Sequence, residues 1–220
     1  VLAIRIRMLV RMKRLREAAQ CLVLLSESVK PADDPVMRLV ALGCGVELHC
    51  ATGEVALANG YAEALIKLAR THPSPYLNAN AGYFGGLAKL AEGDFVQARA
   101  AFRTCLDLIQ STRVCLDFEA EALIAMAESH LEVEEWAAAR DCAVRALAVA
   151  RDRFNRVAEC RSLIVLGAVG LHSQTGKARE AGLADLALAQ RLLTETGAHL
   201  FEAALESAQA LVGAVRSPAA

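Results

Sequence analysis

The chain has 220 residues, a formal net charge of −1, 55% hydrophobic residues and only 5% aromatic residues. Such an apolar composition excludes a disordered chain, and the balanced charge argues against a protein built mainly to bind nucleic acid. No apolar stretch reaches about 18 residues without a charged residue, so we expect no transmembrane helix. The hydrophobic excess is mostly Ala and Leu, which favour helices, and no long alternating Val/Ile/Thr run predicts a strand. The composition therefore predicts an all-α protein.

Apolar periodicity and helix-start signals predict eleven helices. Asp33-Asp34-Pro35 and Ser74-Pro75 are each typical of an N-cap followed by proline at the first helical position. The helical pattern is already under way at Val1, which is not a methionine, so we expect a piece of a longer protein. The predicted helices lie near residues 1–12, 14–29, 35–51, 54–71, 75–92, 94–112, 115–132, 134–152, 156–174, 177–196 and 199–213.

Five segments of the chain align with one another without gaps, which indicates an internal repeat. In each, an alanine follows an apolar residue by three positions, so both lie on one face of a helix, and the alanine leaves room for another helix backbone. Glycine begins three segments, where it suits the αL conformation that ends the preceding helix. The alanines are 40, 40, 41 and 42 residues apart, a period that predicts pairs of helices joined by a tight turn. The segments begin at Lys13, Gly53, Gly93, Glu134 and Gly176, and their alanines are Ala18, Ala58, Ala98, Ala139 and Ala181.

Two of these units carry the spacing of a known signature. Small, small, aromatic and small residues stand at Gly86, Ala98, Phe102 and Cys105, and Ala127, Ala139, Ala143 and Ala146 follow the same spacing. The chain thus resembles tetratricopeptide (TPR) arrays, in a form longer than the usual repeat of about 34 residues. This longer form is similar to arrays in bacterial multi-domain regulators, namely maltose-activator-like and LuxR-type ATPase regulators and adenylate/guanylate cyclases. The closing stretch LAQRLLTETGAHLFEAALESAQAL is similar to the last repeat of those proteins.

The resemblance implies an α-solenoid of about five antiparallel helix pairs, a TPR-like superhelix with a C-terminal capping helix. It covers one repeat domain over residues 1–213 and leaves 214–220 as a flexible tail. The implied units are 1–30, 34–72, 74–113, 114–153 and 155–197, with the cap at 198–213.

Motifs for catalysis or cofactor binding are not found in the sequence. Gly43-Cys44-Gly45 and Gly176-Lys177 begin like nucleotide-binding loops, but the residues that complete those motifs are missing. The seven cysteines are scattered without a Cys-x-x-Cys pair, which favours reduced, buried thiols in a cytoplasmic protein. We therefore expect no enzyme activity, no metal and no cofactor.

The TPR resemblance also implies a partner-binding groove, lined by the first helix of each pair. Its apolar and acidic residues suit an extended or helical peptide with apolar anchors and some basic residues. The alternative is that several of them pack against neighbouring helices or another domain of the same protein. The groove candidates are Glu47, Asn80, Tyr83, Leu87, Glu121, Ile124, Glu128, Glu132 and His172.

The expected function is a non-catalytic interaction module of a larger bacterial signalling or transcription-regulatory protein. Its partner would be a protein, a peptide or a fused domain, with no membrane or nucleic acid involved, and homodimerisation through exposed apolar ends is an open alternative. A second hypothesis is a sensor that binds a small effector or signal peptide in a cavity around Tyr83, Leu87 and Ile124. The basic run from Arg5 to Arg16 is either a binding helix or the charged outer face of a truncated repeat.

Overall fold

In the computed structural model, which describes residues 1–30 and 34–214, every regular element is a helix. The all-α prediction is therefore confirmed for this part of the chain. Two short 3₁₀ turns, Leu116–Phe118 and His199–Phe201, lead into the seventh and eleventh helices. The α-helices are α1 (Leu2–Arg11), α2 (Leu15–Ser28), α3 (Pro35–Thr52), α4 (Val55–Thr71), α5 (Pro75–Glu92), α6 (Phe95–Thr112), α7 (Glu119–Leu131), α8 (Trp136–Asp152), α9 (Arg156–His172), α10 (Gly176–Thr196) and α11 (Glu202–Ala214).

Each predicted helix has a counterpart, and most bounds agree within three residues. The largest difference is at α7, which begins four residues later than expected. Cys115 there adopts a left-handed backbone with φ of 52°, and the 3₁₀ turn follows before regular helix begins. The predicted cap residue Asp33 and the predicted tail beyond Ala214 lie outside the described residues.

Two helix starts follow the predicted chemistry. The carboxylate of Asp34 accepts a hydrogen bond from the backbone N–H of Val36 at 2.7 Å, ahead of α3. The hydroxyl of Ser74 accepts one from the N–H of Leu77 at 3.2 Å, ahead of α5. Because such caps satisfy N–H groups that the helix leaves unpaired, each contributes about 1 kcal/mol.

The same turn closes the first helix of four successive pairs. Lys13, Gly53, Gly93 and Glu134 all adopt positive φ, at 59°, 76°, 83° and 59°. In every case the turn residue and the one after it donate backbone hydrogen bonds to carbonyls of the preceding helix three and five residues back. Lysine and glutamate hold a conformation that costs a non-glycine residue about 1 kcal/mol, so tertiary packing imposes the turn. The predicted period is thus present in the backbone itself.

The fifth copy departs from the prediction. Thr175, not a left-handed glycine, precedes α10 and caps it, and Gly176 is its first helical residue. Ala181 is exposed, whereas the four earlier repeat alanines are fully buried. Its expected place is taken by Gly182, where a Cβ atom would lie 2.9 Å from the carbonyl oxygen of Gly167. The predicted alignment at Gly176 and Ala181 is therefore wrong by one position, because the close approach of α9 and α10 requires glycine.

By their contacts the helices form two compact units, divided within α7 after Ala122. In the first unit, each helix from α1 to α5 packs against the next one in the chain, and α3 also packs against α1 and α5. Helices joined by such short turns run antiparallel. In the second unit, α9 packs against α8, α10 and α11.

The two units have different interiors. The first buries the rings of Tyr83, Phe84, Phe102 and Phe118, with Tyr83 and Phe118 stacked at a centroid distance of 4.4 Å. Gly86 makes room for them, since a Cβ atom there would lie 2.5 Å from the Phe102 ring. The core of the second unit is aliphatic and is made of leucine, isoleucine and alanine side chains of α9, α10 and α11 with Cys160.

Candidate functional site

The structure buries three of the five groove candidates in the first unit. Tyr83 is 4% exposed and belongs to the aromatic core, and Asn80 is 1% exposed. The Asn80 amide donates hydrogen bonds to the Tyr76 carbonyl at 2.8 Å and to the Cys115 sulfur at 3.0 Å. Glu121 is also buried. These side chains stabilise the interior and present no surface to a partner, while Leu87 remains half-buried on α5.

Two arginines of α1 occupy the acidic part of the predicted groove. Arg7 donates to the Glu47 carboxylate at 2.9 Å, with 30% and 17% of the two side chains exposed. Its guanidinium carbon also lies 5.5 Å from the centre of the Phe118 ring, within cation–π range. Arg11 reaches Glu121 at 3.4 Å. The predicted groove positions on this face, here called the arginine-filled face (Arg7, Arg11, Glu47, Glu121), are therefore satisfied from within the chain.

Burial and charge oppose each other in this pair. Burial raises the pKa of Glu47 above its ordinary range, although Arg7 and Arg11 act to lower it. Burial also disfavours the charged form of Arg7, but the interactions with Glu47, Cys44 and Tyr83 together raise the pKa of the guanidinium. The basic run was interpreted as either a binding helix or a charged outer face. Neither interpretation describes Arg7 and Arg11 fully, because both are half-buried. Arg5, Lys13 and Arg16 of the same run are exposed.

In the second unit the candidates are dispersed. Ile124 is fully buried. Glu128 accepts hydrogen bonds at 2.9 Å from Arg161 on both carboxylate oxygens, a bidentate ion pair. Glu132 and His172 are exposed, and the His172 ring stacks on Trp136 with centroids 3.8 Å apart. Of the four candidates in the second unit, Glu132 and His172 are the two with exposed side chains that a partner could contact.

An open groove in the first unit, which the sequence did not predict, has a volume of about 690 Å³. We call it the α4–α6 groove, because α5 forms its floor and α4 and α6 its walls. The floor consists of small residues, and the middle of each wall is apolar. The floor residues are Ala81, Gly82, Gly85 and Ala88, and the apolar wall residues are Ala62, Ile66, Ala69, Ala101 and Leu108.

The rims of the α4–α6 groove are polar and carry charges of both signs. Glu63 and Lys89 lie toward one end, and the Coulomb interaction between them helps to raise the pKa of Lys89, after the hydrogen bond that Lys89 donates to Glu92. Arg70 and Asp107 line the groove on later turns of α4 and α6. An apolar floor with a balanced polar rim resembles the anatomy of a polypeptide-binding surface.

The equivalent position between α2 and α4 is closed by one side chain. The Tyr61 ring lies over Gly45, where a Cβ atom would be 2.4 Å from it, and stacks on His49 with centroids 5.3 Å apart. Tyr61 lines two separate pockets of about 440 and 570 Å³. In the aligned repeat the residue at the Tyr61 position is Ala101, and the groove there is continuous.

The sequence analysis did not predict the α4–α6 groove. The TPR resemblance places the binding groove along the first helix of each pair, whereas this groove is also lined by the second helices α4 and α6. A signal was present in the aligned segments, in which Tyr61 is matched by Ala101, and in the small residues of α5.

Within residues 1–30 and 34–214, no three His, Cys, Asp or Glu side chains converge on a point suited to a metal ion. Over the same residues, no helix combines the length and apolarity needed to cross a bilayer.

The seven cysteines, all of which lie in the described ranges, form no disulfide, and all but Cys50 are buried, as predicted. Burial raises the pKa of Cys44, Cys50 and Cys105 to about 12. A thiol with so high a pKa is a poor nucleophile, because the thiolate is the reactive form.

Comparisons with known proteins give no family assignment. No family model matches the chain, and no curated protein matches it. The features that bear on function are therefore the repeat, the arginine-filled face and the α4–α6 groove.

Proposed function

We propose that the chain is a TPR-like α-solenoid that binds a polypeptide without catalysing a reaction. It would serve as a module of a larger cytoplasmic regulatory protein in bacteria, recognising either a separate protein or a fused domain. The support for the solenoid is the turn shared by Lys13, Gly53, Gly93 and Glu134, together with the packing of α3 against both α1 and α5. Repeats that contact mainly their neighbours are characteristic of solenoids.

The α4–α6 groove is the observation that carries the proposal. Its α4 wall extends from Asn59 to Arg70, which corresponds to about 16 Å of helix at ~1.5 Å per residue. That length accommodates roughly ten residues of a helix or about five of an extended segment. The apolar middle would bury anchor side chains of the partner, and the mixed charges of the rim would orient it.

The originally predicted groove is a weaker candidate for the same role. On the arginine-filled face, a partner would have to displace Arg7 and Arg11 from their carboxylates. In contrast, the α4–α6 groove needs no such rearrangement, and a preformed site loses less free energy on binding.

A small effector is the second candidate ligand. The volume of the α4–α6 groove, about 690 Å³, lies within the range of small-molecule sites. The cavity first expected around Tyr83 and Ile124 has less support, because both side chains are buried in cores. We favour a polypeptide because the groove is long and open and lacks a buried charged group to fix a small ligand.

A peptide selection with two matched variants tests the proposal. The full chain is used to select from a displayed library of random dodecapeptides, and the affinities of selected peptides are measured by fluorescence polarisation. Ala101→Tyr fills the groove as Tyr61 fills its neighbour, whereas Ala100→Tyr adds the same ring one residue away at an exposed position outside the groove.

We expect Ala101→Tyr to weaken binding by about tenfold or more, and Ala100→Tyr to leave it unchanged. Circular dichroism checks that both variants remain folded. Equal binding by the two variants, or no selected peptide at all, would contradict the proposal.

A further inference from the structure

We infer that the α4–α6 groove takes an aromatic side chain of the bound polypeptide beside Ala101, in the place that Tyr61 occupies one repeat earlier. This inference rests on the proposed function, which it makes more specific by naming the kind of anchor. It is argued from a second copy of the same groove within the chain, between α2 and α4, where the corresponding place is already occupied.

The two grooves are built from equivalent residues. Tyr61 and Ala101 each stand eight residues after the left-handed glycine of their turn, Gly53 or Gly93. In the α2–α4 copy, the Tyr61 ring is seated by backbone without a side chain: three of its atoms lie 2.4 to 2.6 Å from the Cβ position of Gly45. An aromatic ring therefore fits this location of the repeat.

In the α4–α6 copy the ring is missing and the space around it is wider. Gly85 stands at the Gly45 position, and the nearest atom to its Cβ position is the Ile66 Cδ1 at 3.5 Å, an ordinary van der Waals distance. Gly82, which stands where the neighbouring repeat has Leu42, lets the α6 backbone approach closely, since a Cβ atom there would lie 3.0 Å from the Ala101 carbonyl oxygen. The change from tyrosine to alanine leaves a slot with apolar walls that include Ile66 and Leu108.

The surroundings of the slot suit a ring better than a branched aliphatic side chain. Lys89 stands at the position of His49, on which Tyr61 stacks in the other copy. A lysine ammonium near an aromatic face is attracted by the ring quadrupole, whereas an aliphatic side chain gains nothing from it. Tyrosine and tryptophan also bury a large rigid area for little loss of side-chain entropy, which makes them common anchors in small grooves.

Three peptide libraries separate this inference from the proposed function. They have a fixed central tyrosine, leucine or serine within otherwise random sequence, and each is selected against the full chain. We expect enrichment mainly from the tyrosine library, and selected peptides should lose about tenfold or more in affinity on Ala101→Tyr but not on Ala100→Tyr. Replacing the central tyrosine of a selected peptide by leucine should weaken its binding about tenfold.

The position of the ring is checked by methyl NMR of the complex. An aromatic ring beside Ala101 should shift the Ile66 and Leu108 methyl signals upfield, and a peptide with leucine in its place should not. Equal enrichment of the leucine library with the same Ala101 dependence would overturn the aromatic anchor and leave polypeptide binding intact. Enrichment that ignores Ala101→Tyr in every library would overturn both.

Discussion

Two surfaces of the first unit differ in whether side chains of the chain itself occupy them. On the arginine-filled face, Arg7 and Arg11 of α1 reach acidic side chains 40 and 110 residues away in sequence. In the α4–α6 groove, alanine stands where the preceding repeat has tyrosine, and within residues 1–30 and 34–214 no ring takes its place. Acidic residues on a predicted groove therefore do not by themselves indicate a binding surface, because the chain can supply their partners.

Removing the ion pair of the arginine-filled face should have the largest effect on stability. Arg7→Met keeps most of the aliphatic volume but leaves Glu47 partly buried without its main partner. We expect a loss of about 1–3 kcal/mol in the free energy of unfolding near neutral pH, measured by urea denaturation. Arg5→Met, on the same helix at an exposed position, is the matched control and should be close to wild type.

The loss of unfolding free energy in Arg7→Met should also depend on pH. Because the folded-state pKa of Glu47 is raised above its unfolded value, the stability from burying the neutral carboxyl is fully present below about pH 4.5 and is lost as pH rises through the folded pKa. Without Arg7 that pKa rises further, so the deficit of Arg7→Met should be smaller at pH 4 than at pH 7. A deficit that is constant between these pH values would mean that Arg7 does not shift the folded-state pKa of Glu47.

Alanine at the two equivalent glycines should have opposite effects of intermediate size. In Gly45→Ala the new Cβ atom would lie 2.4 Å from the Tyr61 ring, which must move, at a cost of about 1–2 kcal/mol. In Gly85→Ala the nearest neighbour is at 3.5 Å, so the better helix propensity should stabilise the chain by about 0.5–1 kcal/mol. Equal changes in the urea midpoint of the two variants would show that the α4–α6 groove is not more open than its neighbour.

Thiol labelling should give the smallest effect and report on the groove alone. Cys105 lies under the floor, with its Cβ atom 3.2 Å from the Cβ position of Gly82, while Cys44 lies near the arginine-filled face. Both are buried with pKa values raised to about 12, so both should react slowly with iodoacetamide at pH 8. A selected peptide should slow the labelling of Cys105 a few-fold more than that of Cys44, as followed by mass spectrometry. Equal protection of both would point to global stabilisation.

Much of the local structure was predictable from the sequence. Asp34 and Ser74 have side chains that cap helices, and the period places four identical turns at Lys13, Gly53, Gly93 and Glu134. These features depend on residues close together in the chain, so a single sequence is enough to find them.

The candidate site was less predictable, because it depends on contacts between distant residues. Periodicity shows that Glu47 and Arg7 lie on helices of the repeat, but it does not show that their side chains meet. Tyr83 and Ile124 occupy groove positions of the resembling family, yet the structure uses them as core residues. The shift from Ala181 to Gly182 likewise follows from the tight crossing of α9 and α10, which alanine spacing alone did not indicate.

The residue at the Tyr61 position has a further consequence for how such arrays diversify. Its equivalents in the aligned segments at Lys13, Gly93 and Glu134 are Cys21, Ala101 and Cys142, and the size of this one residue distinguishes the closed site at Tyr61 from the open groove at Ala101. Duplication of a whole unit would carry its turn and its alanine register with it, and a single later substitution would then create or erase a recognition slot. Specificity in such an array can evolve independently of the fold that supports it.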